Sequence, residues 1–384
     1  MINPYYIYIG SFLISTLVYL LNWSSIFPTL KPALLVFLIG TMILALPLGL
    51  LFQTKKLIRG QEIGYHWRTR AIFRFIIILW IVEFVEAKGI PLLVILIGGN
   101  YDYTQFGVPT LHVFVVTFTS FFSVYLFHVY LSTRTRRVLF YYIILMTLPL
   151  LIISRGMFMI NVASSVIVYL QFSKKISVKR ILILVTLMLI VLYGFGVVGN
   201  IRSSYSTDKQ YSSNYILTNV SARPEFINGP IPNEYFWSYL YIASPIGNLQ
   251  HNIDIENRLS VTARNSVLFI NNEFIFDFIS KRINRLLHAD RVVCKRFVDF
   301  LTVASVYTNS YIYAGWVGLC LMALAILVFP IFYMGLIRRS NTFYVVATST
   351  MSSMYLFMIF DNMFTFTGLS FQLVYPLVLG RFFR

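Results

Sequence analysis

Two glutamates, Glu83 and Glu86, stand one helical turn apart in an apolar run that begins near Ala71, so a helix would place them on one face. An ionisable group at such depth in a membrane is costly and normally faces a bundle interior or a water-filled cavity. Glu83 is the deeper and can serve as a base or as the partner of an arginine. Glu86 is closer to the interface, where pairing with Lys88 or snorkelling outward accounts for it. Five arginines, Arg155, Arg202, Arg223, Arg258 and Arg264, fall outside the basic inter-helix segments, on what the charge pattern makes the outer side. A guanidinium forks onto phosphate and stays charged, so these side chains suit a phosphate or diphosphate group. The ordinary explanation of one such arginine is a surface residue. Arg155, in the tip Ser154-Arg155-Gly156 between two short apolar runs, and Arg202, just past another run, are better placed than the rest. Tyr235, Phe236, Trp237, Tyr239 and Tyr241 can stack on sugar rings or form an aromatic belt at a membrane interface.

Other patterns carry less. Gly194-Phe195-Gly196-Val197-Val198-Gly199 matches G-x-G-x-x-G, but the dinucleotide fingerprint needs a strand before it and a helix after it. Here it closes an apolar run, and close helix packing is the better reading. Asp254-Ile255-Glu256 reads as solvated loop surface. The five histidines show no H-E-x-x-H or other ligand spacing, so neither a metal site nor a cofactor is expected. Cys294 and Cys320 lie in unlike surroundings, one in an amphipathic stretch and one in an apolar run, which argues against a disulfide.

The elements that must position these residues are membrane helices. The chain of 384 residues is 58% hydrophobic and 12% charged, with a mean hydropathy of +0.74; a soluble domain carries about 25% charged residues. The net charge of +17 follows topology: 17 Lys and Arg fall in 55–74, 134–137, 174–180, 338–339 and 381–384 against Glu62 alone. These are alternate inter-helix segments, the positive-inside pattern, so the charge does not call for a nucleic-acid partner. The expected architecture is an all-α polytopic membrane protein of about ten spans with both termini cytoplasmic. The spans are placed near 5–21, 32–52, 71–88, 108–131, 138–153, 157–172, 181–198, 311–336, 343–361 and 363–380. The first Lys is Lys31, so run 5–21 lacks the charged start of a cleaved signal.

Residues 138–153 and 157–172 are short for a bilayer, which would hold Arg155 below the outer surface in a thinned or protein-lined pocket. Apolar residues 89–99 are too few to cross and read as re-entrant or interfacial. Three regions result: 1–199 and 301–384 in the membrane, and an outer loop, 200–300, holding nine of the 14 acidic residues. In that loop, 281–300 has the spacing of a helix lying on the membrane surface. The loop is expected to act as a lid over a membrane site.

Several local stretches, in order, resemble the Wzy-type polymerases of bacterial O-antigen and related surface polysaccharides. They are Glu83-Phe84 followed by Gly89-Ile90-Pro91-Leu92-Leu93; Tyr101-Asp102-Tyr103-Thr104-Gln105-Phe106-Gly107-Val108-Pro109-Thr110-Leu111-His112-Val113; Ser154-Arg155-Gly156; Gly199-Asn200-Ile201-Arg202-Ser203; and Tyr241-Ile242-Ala243-Ser244-Pro245-Ile246-Gly247-Asn248-Leu249. The layout also matches, with about ten helices and a late outer loop, as in the class C membrane glycosyltransferases. One departure is Tyr313-Ala314-Gly315, where such proteins often have an acidic-aromatic-Gly turn; no role for that acid carries over.

The resemblance implies a polymerase in the cytoplasmic (inner) membrane, working on the periplasmic face without metal or cofactor. It would move a glycan from undecaprenyl diphosphate to the non-reducing end of a lipid-linked repeat unit. Arg155, Arg202 and Asn248 carry over. Glu83 and His251 are then the candidate bases, with Tyr239, Tyr241, Asn248, Arg223, Arg258 and Arg264 as substrate contacts. Membrane lipid, a chain-length regulator and a flippase are the implied partners. A lipid-A-directed glycan ligase and, from another class, a lipid-linked glycan transporter are the alternatives.

Overall fold

The computed structural model describes residues 2–55, 61–98, 101, 106–173, 177–205 and 214–382, and it does not describe the side chains of 181, 202–205 and 215. The described chain is helical, with one isolated bridge between Ser24 and Ala222. Helix α1 (Pro4–Leu20) starts where Asn3 accepts a hydrogen bond from the Tyr6 amide and Pro4 presets the first turn. It is followed by α2 (Pro32–Thr54), α3 (Arg68–Glu86) and a short α4 (Pro91–Leu96). Helices α5 (Leu111–Thr133), α6 (Arg136–Leu151), α7 (Arg155–Phe172) and α8 (Val178–Tyr205) come next. The five helices α2, α5, α7, α8 and α14 (Val306–Leu336) are long and apolar enough to cross a membrane; α1 and the stretch 367–379 are shorter apolar segments. The chain is thus an all-α membrane protein.

Helix α5 lies at the centre, buried over most of its length against α3, α6, α7 and α15 (Tyr344–Phe357). Helix α1 packs on α2, α15 and α11 (Tyr235–Asp254), where Tyr8 Oη bonds Thr41 Oγ1 at 2.8 Å and Tyr307 Oη at 2.6 Å. Helices α7 and α15 meet along small and amide side chains: Ser164 donates to Ser353 at 2.9 Å, and Gln171 accepts from Thr348 and Ser349. Small residues allow this close approach where no hydrophobic drive operates between helices. Helix α8 exposes most of its apolar surface and is held by α11. A Cβ at Gly196 would fall 1.9 Å from the Glu234 carbonyl oxygen, and Gly199 faces the Trp237 ring, so those glycines serve close packing.

Two ends of the bundle differ. At the basic end, Arg339 donates to the Lys55 carbonyl, Arg68 to that of Phe382 and His128 to that of Gln61. The opposite, loop-bearing end carries α9 (Tyr215–Asn219), α10 (Pro224–Ile227), α11, α12 (Ala263–Phe274) and α13 (Asp277–Leu286).

Several expectations are corrected here. The stretch 281–300 is not one surface helix: α13 ends at Leu286, His288 takes a left-handed φ of 46°, and residues 289–300 run without helix across α11. They are held there by Asn252, which donates to the Lys295 carbonyl and accepts from its amide. The last span, placed at 363–380, starts only at Thr367 and runs to Leu379 as α16 (Thr367–Ser370), a 3-10 turn and α17 (Val374–Leu379), in helical geometry throughout. The span begun at 311 starts earlier, at Val306, and breaks at Ala314 and Gly315 (φ 57°, ψ −142°). Finally, 200–300 is not a simple lid, because α11 is a buried helix wedged between α1, α8 and α14.

Candidate functional site

The best-formed chemical arrangement lies at the loop-bearing end, between α3 and α5. Glu83 is fully buried near the end of α3, and its Oε2 lies 2.7 Å from Nδ1 of His112, in the first turn of α5. Antiparallel neighbours joined at this end bring the two to one level. Gly107 (φ 89°) lets the 106–110 turn close over the ring, since a Cβ there would fall 2.6 Å from His112 Nδ1. Trp80, Phe84 and Phe106 enclose the pair. When Glu83 is a carboxylate it can only accept, so Nδ1 then carries the proton and donates, and Nε2 is the nitrogen free to take one. The His112 side chain is 27% exposed whereas Glu83 is 0%. The arrangement is a carboxylate orienting an imidazole that reaches the surface, as a general base requires.

One cationic side chain is tied to the turn that precedes His112. Arg282 of α13 donates to Thr110 Oγ1 at 2.5 Å and to the Phe278 carbonyl at 2.8 Å, which sets an exposed guanidinium two residues from His112. Phe371 ties this corner together, meeting Phe114 of α5 and Phe276 and Phe278 beside it. Gly368, three residues earlier, presses on Met157 in the first turn of α7. Arg155 opens that helix and is exposed; among the described residues it makes no side-chain hydrogen bond or ion pair. The expected protein-lined pocket around Arg155 is not formed among the described residues, because the side chain is exposed at the hairpin tip.

A second polar cluster braces α12 and α13. Glu273, buried, accepts from Ser310 Oγ at 2.9 Å and from Asn362 Nδ2 at 3.0 Å. Burial pushes its carboxyl up to about 8, against the lowering by those two hydrogen bonds. Arg291 bonds Asp277 Oδ1 at 2.5 Å and Asn272 Oδ1 at 3.2 Å, and Asn284 donates to Asn272 at 2.6 Å. These groups satisfy one another, and the cluster is a brace rather than an open site.

No family model, curated protein or solved structure matches this chain. The site therefore rests on its own geometry.

The residues singled out from sequence divide sharply. Glu83 is in the site, partnered by His112 rather than by an arginine. Arg155 is at the same end. Arg202 lies in the last turn of α8, and its side chain is outside the described residues. Tyr239 is buried against Trp23, Phe27 and Phe236, and Tyr241 packs on Phe195. Asn248 is fully buried and donates to the carbonyls of Leu301 and Val303, so its amide fastens the chain before α14. His251, half-buried on α11, follows Gln250, which holds the Lys31 amide, and Lys31 pairs with Asp254 at 2.7 Å. Those contacts put it beside α2, away from Glu83. The Arg223 backbone amide donates to the Trp23 carbonyl, Arg264 caps α13 through the carbonyls of Leu287 and His288, and Arg258 pairs loosely with Glu256 at 3.9 Å.

His112 and Arg282 are what the sequence reading missed. His112 opens the helix that returns past Glu83, so a helical-hairpin argument finds it. Arg282 carries no sequence signal, because its place depends on how α13 folds back over α5.

Proposed function

We propose that the protein is a polymerase of bacterial surface polysaccharide, a membrane glycosyltransferase of the O-antigen type. The carrying observation is the buried Glu83 holding His112, beside Arg282 and with Arg155 at the same end. In this reading about ten membrane segments put the basic end in the cytoplasm, by the positive-inside rule. The loop-bearing end faces the periplasm across the inner membrane. The acceptor hydroxyl of a lipid-linked repeat unit gives its proton to His112 Nε2 as its oxygen attacks the anomeric carbon of the growing glycan. The bond from that carbon to undecaprenyl diphosphate breaks, and the diphosphate leaves with the electron pair. Arg282 and Arg155 offset the charge that develops there, a preorganised electrostatic role. Arg202 is a further candidate for it. The leaving group is already activated, so no nucleotide is required.

Incubation of purified protein with lipid-linked repeat units alone tests this. Long chains are expected from the wild type and loss of elongation from His112→Ala. A ligase would need a lipid A core as acceptor, and products that form only when that core is added would replace this reading. The Ser, Thr, Asn and Gln seam between α7 and α15 favours a second reading, a transporter of the same lipid-linked glycan, since polar groups line many transport paths. Elongation in detergent, without a second compartment, excludes it.

A further inference from the structure

The basic end of the bundle holds far more cations than carboxylates, and one cavity there collects two of them. Helix α14 ends at Leu336, and the two arginines that follow part company. Arg339 donates to the Lys55 carbonyl at the end of α2, whereas Arg338 lines a cavity of about 390 Å³ together with Ser340, Asn341 and Arg381. Asn341 fixes the wall: its Nδ2 donates to the Pro376 carbonyl of α17 at 2.8 Å, and its Oδ1 accepts from the Phe343 amide at 2.9 Å. Gly380 permits that contact, since a Cβ there would run into Asn341 Nδ2. Arg68 holds the Phe382 carbonyl, which anchors the backbone beside Arg381. Both cavity arginines are exposed, and among the described residues neither makes a side-chain hydrogen bond or an ion pair. Sequence offers them little else, because Glu62 is the one acid in the five basic segments. A cation after a helix C-terminus offsets the helix dipole, which accounts for one arginine past α14. It does not call for two in the wall of one cavity. On another side the wall turns apolar at Leu336 and Leu377. Leu336 stands one turn beyond Phe332, itself one turn beyond Val328, and the three are 53%, 60% and 51% exposed. They form an apolar stripe along a helix long enough to cross a membrane, and the stripe leads to the cavity.

We propose that this cavity holds the headgroup of one anionic phospholipid, its phosphate between Arg338 and Arg381 and an acyl chain along Val328, Phe332 and Leu336. The charge is complementary, because two guanidiniums can fork onto the oxygens of one phosphate. Basic pockets between membrane helices take anionic headgroups for this reason. The Ser340 hydroxyl, exposed in the wall, is a partner for the headgroup's glycerol. The size suits a headgroup and not a whole lipid: about 390 Å³ is room for about a dozen groups the size of a water molecule. The chains therefore stay on the α14 stripe, in the bilayer. The bound lipid ties the end of α14 to the end of α17 and is not a substrate. The proposal goes beyond the glycan chemistry and does not depend on it, since the cavity lies at the end opposite His112.

Equilibrium binding to the full-length protein in detergent tests it, with three probes: phosphatidylglycerol, zwitterionic phosphatidylethanolamine and inorganic phosphate. Phosphatidylglycerol is expected to bind tightest. Replacing both cavity arginines, Arg338→Gln with Arg381→Gln, should weaken it about tenfold or more, the usual scale for losing hydrogen bonds to a charged group. Arg136→Gln with Arg137→Gln removes the same charge at the start of α6, outside the cavity wall, and should leave binding nearly unchanged. Ser340→Trp, at an exposed position in the wall, fills the cavity and should weaken binding as the cavity pair does; it decides the matter should that pair not fold. Equal losses from the two arginine pairs mean diffuse attraction to a basic surface and overturn the proposal. Phosphatidylethanolamine that binds as tightly as phosphatidylglycerol marks an ordinary boundary lipid and overturns it too. Inorganic phosphate that binds as tightly marks a site for a soluble anion, with the same consequence. Phosphatidylglycerol binding that survives both the cavity pair and Ser340→Trp also overturns it. None of the probes is a glycan, so elongation that depends on His112 stands or falls separately.

Discussion

His112 and Asn248 mark the two fates of a polar side chain in an apolar bundle. One ring nitrogen of His112 is bound by a carboxylate with no exposure while the rest of the ring reaches the surface, an arrangement that packing by itself does not require. If Nε2, the other ring nitrogen, is the base, His112→Ala lowers the elongation rate by about 10²–10⁴-fold. Glu83→Gln keeps a hydrogen-bond acceptor and should lower it less. A larger loss in the glutamine variant than in the alanine variant would make Glu83 the base itself; elongation rates on lipid-linked repeats, at matched protein levels, decide. Asn248 stands in a stretch whose order resembles a polysaccharide polymerase, yet its amide is spent on the Leu301 and Val303 carbonyls. Asn248→Ala leaves those carbonyls unbonded and should destabilise the fold by about 1–3 kcal/mol, read as a lower thermal midpoint in detergent. An unchanged midpoint would return Asn248 to the list of substrate contacts. A sequence motif shows that a residue type recurs with its neighbours; it does not show whether the side chain faces a substrate or a backbone carbonyl. Glu83 was legible because a carboxylate within an apolar run always needs a reason. Tyr239 was misleading because aromatic packing and sugar stacking use the same residue.

Among the elements, the long helices follow directly from apolar runs, and errors gather where helices break. Helix α14 is the instructive case: Tyr313-Ala314-Gly315 appears from sequence as the start of a span, but the helix begins at Val306 and bends there. Past the bend, Gly318 approaches the Ser310 carbonyl so closely that a Cβ would fall 2.0 Å from its oxygen. Gly318→Val should prevent the bend from closing and lower the folded yield in membranes. Gly315→Ala should cost about 1–3 kcal/mol through its backbone angles alone. Normal yield and midpoint in both variants would show that the break tolerates a side chain. The brace beside it carries a pH signature. The Glu273 carboxyl, raised by burial to about 8 from the ordinary value of about 4.5, binds a proton in the folded state at pH values where the unfolded chain has lost it. Its contribution to stability is therefore full below about 4.5 and is lost as pH rises through about 8. Thermal midpoints measured from pH 5 to 9 should fall more steeply in the wild type than in Glu273→Gln, which cannot titrate. Parallel curves would remove Glu273 as the source. None of this brace was visible in the run Asn271-Asn272-Glu273, because its partners Ser310 and Asn362 come from distant segments that only the fold brings together.

At the scale of the whole molecule, the question is which water each end meets. The charge pattern that by the positive-inside rule would put the basic end in the cytoplasm comes from sequence, and the structure adds that the basic segments do converge: Lys55, Arg68, Arg339 and the chain at 376–382 are joined by hydrogen bonds at one end. Glu83, His112, Arg282 and Arg155 are at the other. If orientation follows charge, the chemistry is restricted to substrates that have already crossed the membrane, and a nucleotide-activated donor is excluded by location. Single cysteines test this in a background of Cys294→Ser and Cys320→Ser. Glu256→Cys, at a side chain 76% exposed, and Arg285→Cys, also exposed, should react with a membrane-impermeant maleimide on intact cells stripped of their outer membrane. Arg136→Cys and Arg338→Cys, exposed at the basic end, should react only after the inner membrane is opened. Substitutions at such surface positions shift stability by about 0.5 kcal/mol or less, so altered labelling would report topology rather than unfolding. The reverse pattern would put His112 in the cytoplasm, among nucleotide-sugar donors. It would turn the assignment from a transferase fed by lipid diphosphates toward one that has to bind a nucleotide, a task for which this end of the bundle shows no cradle among the described residues.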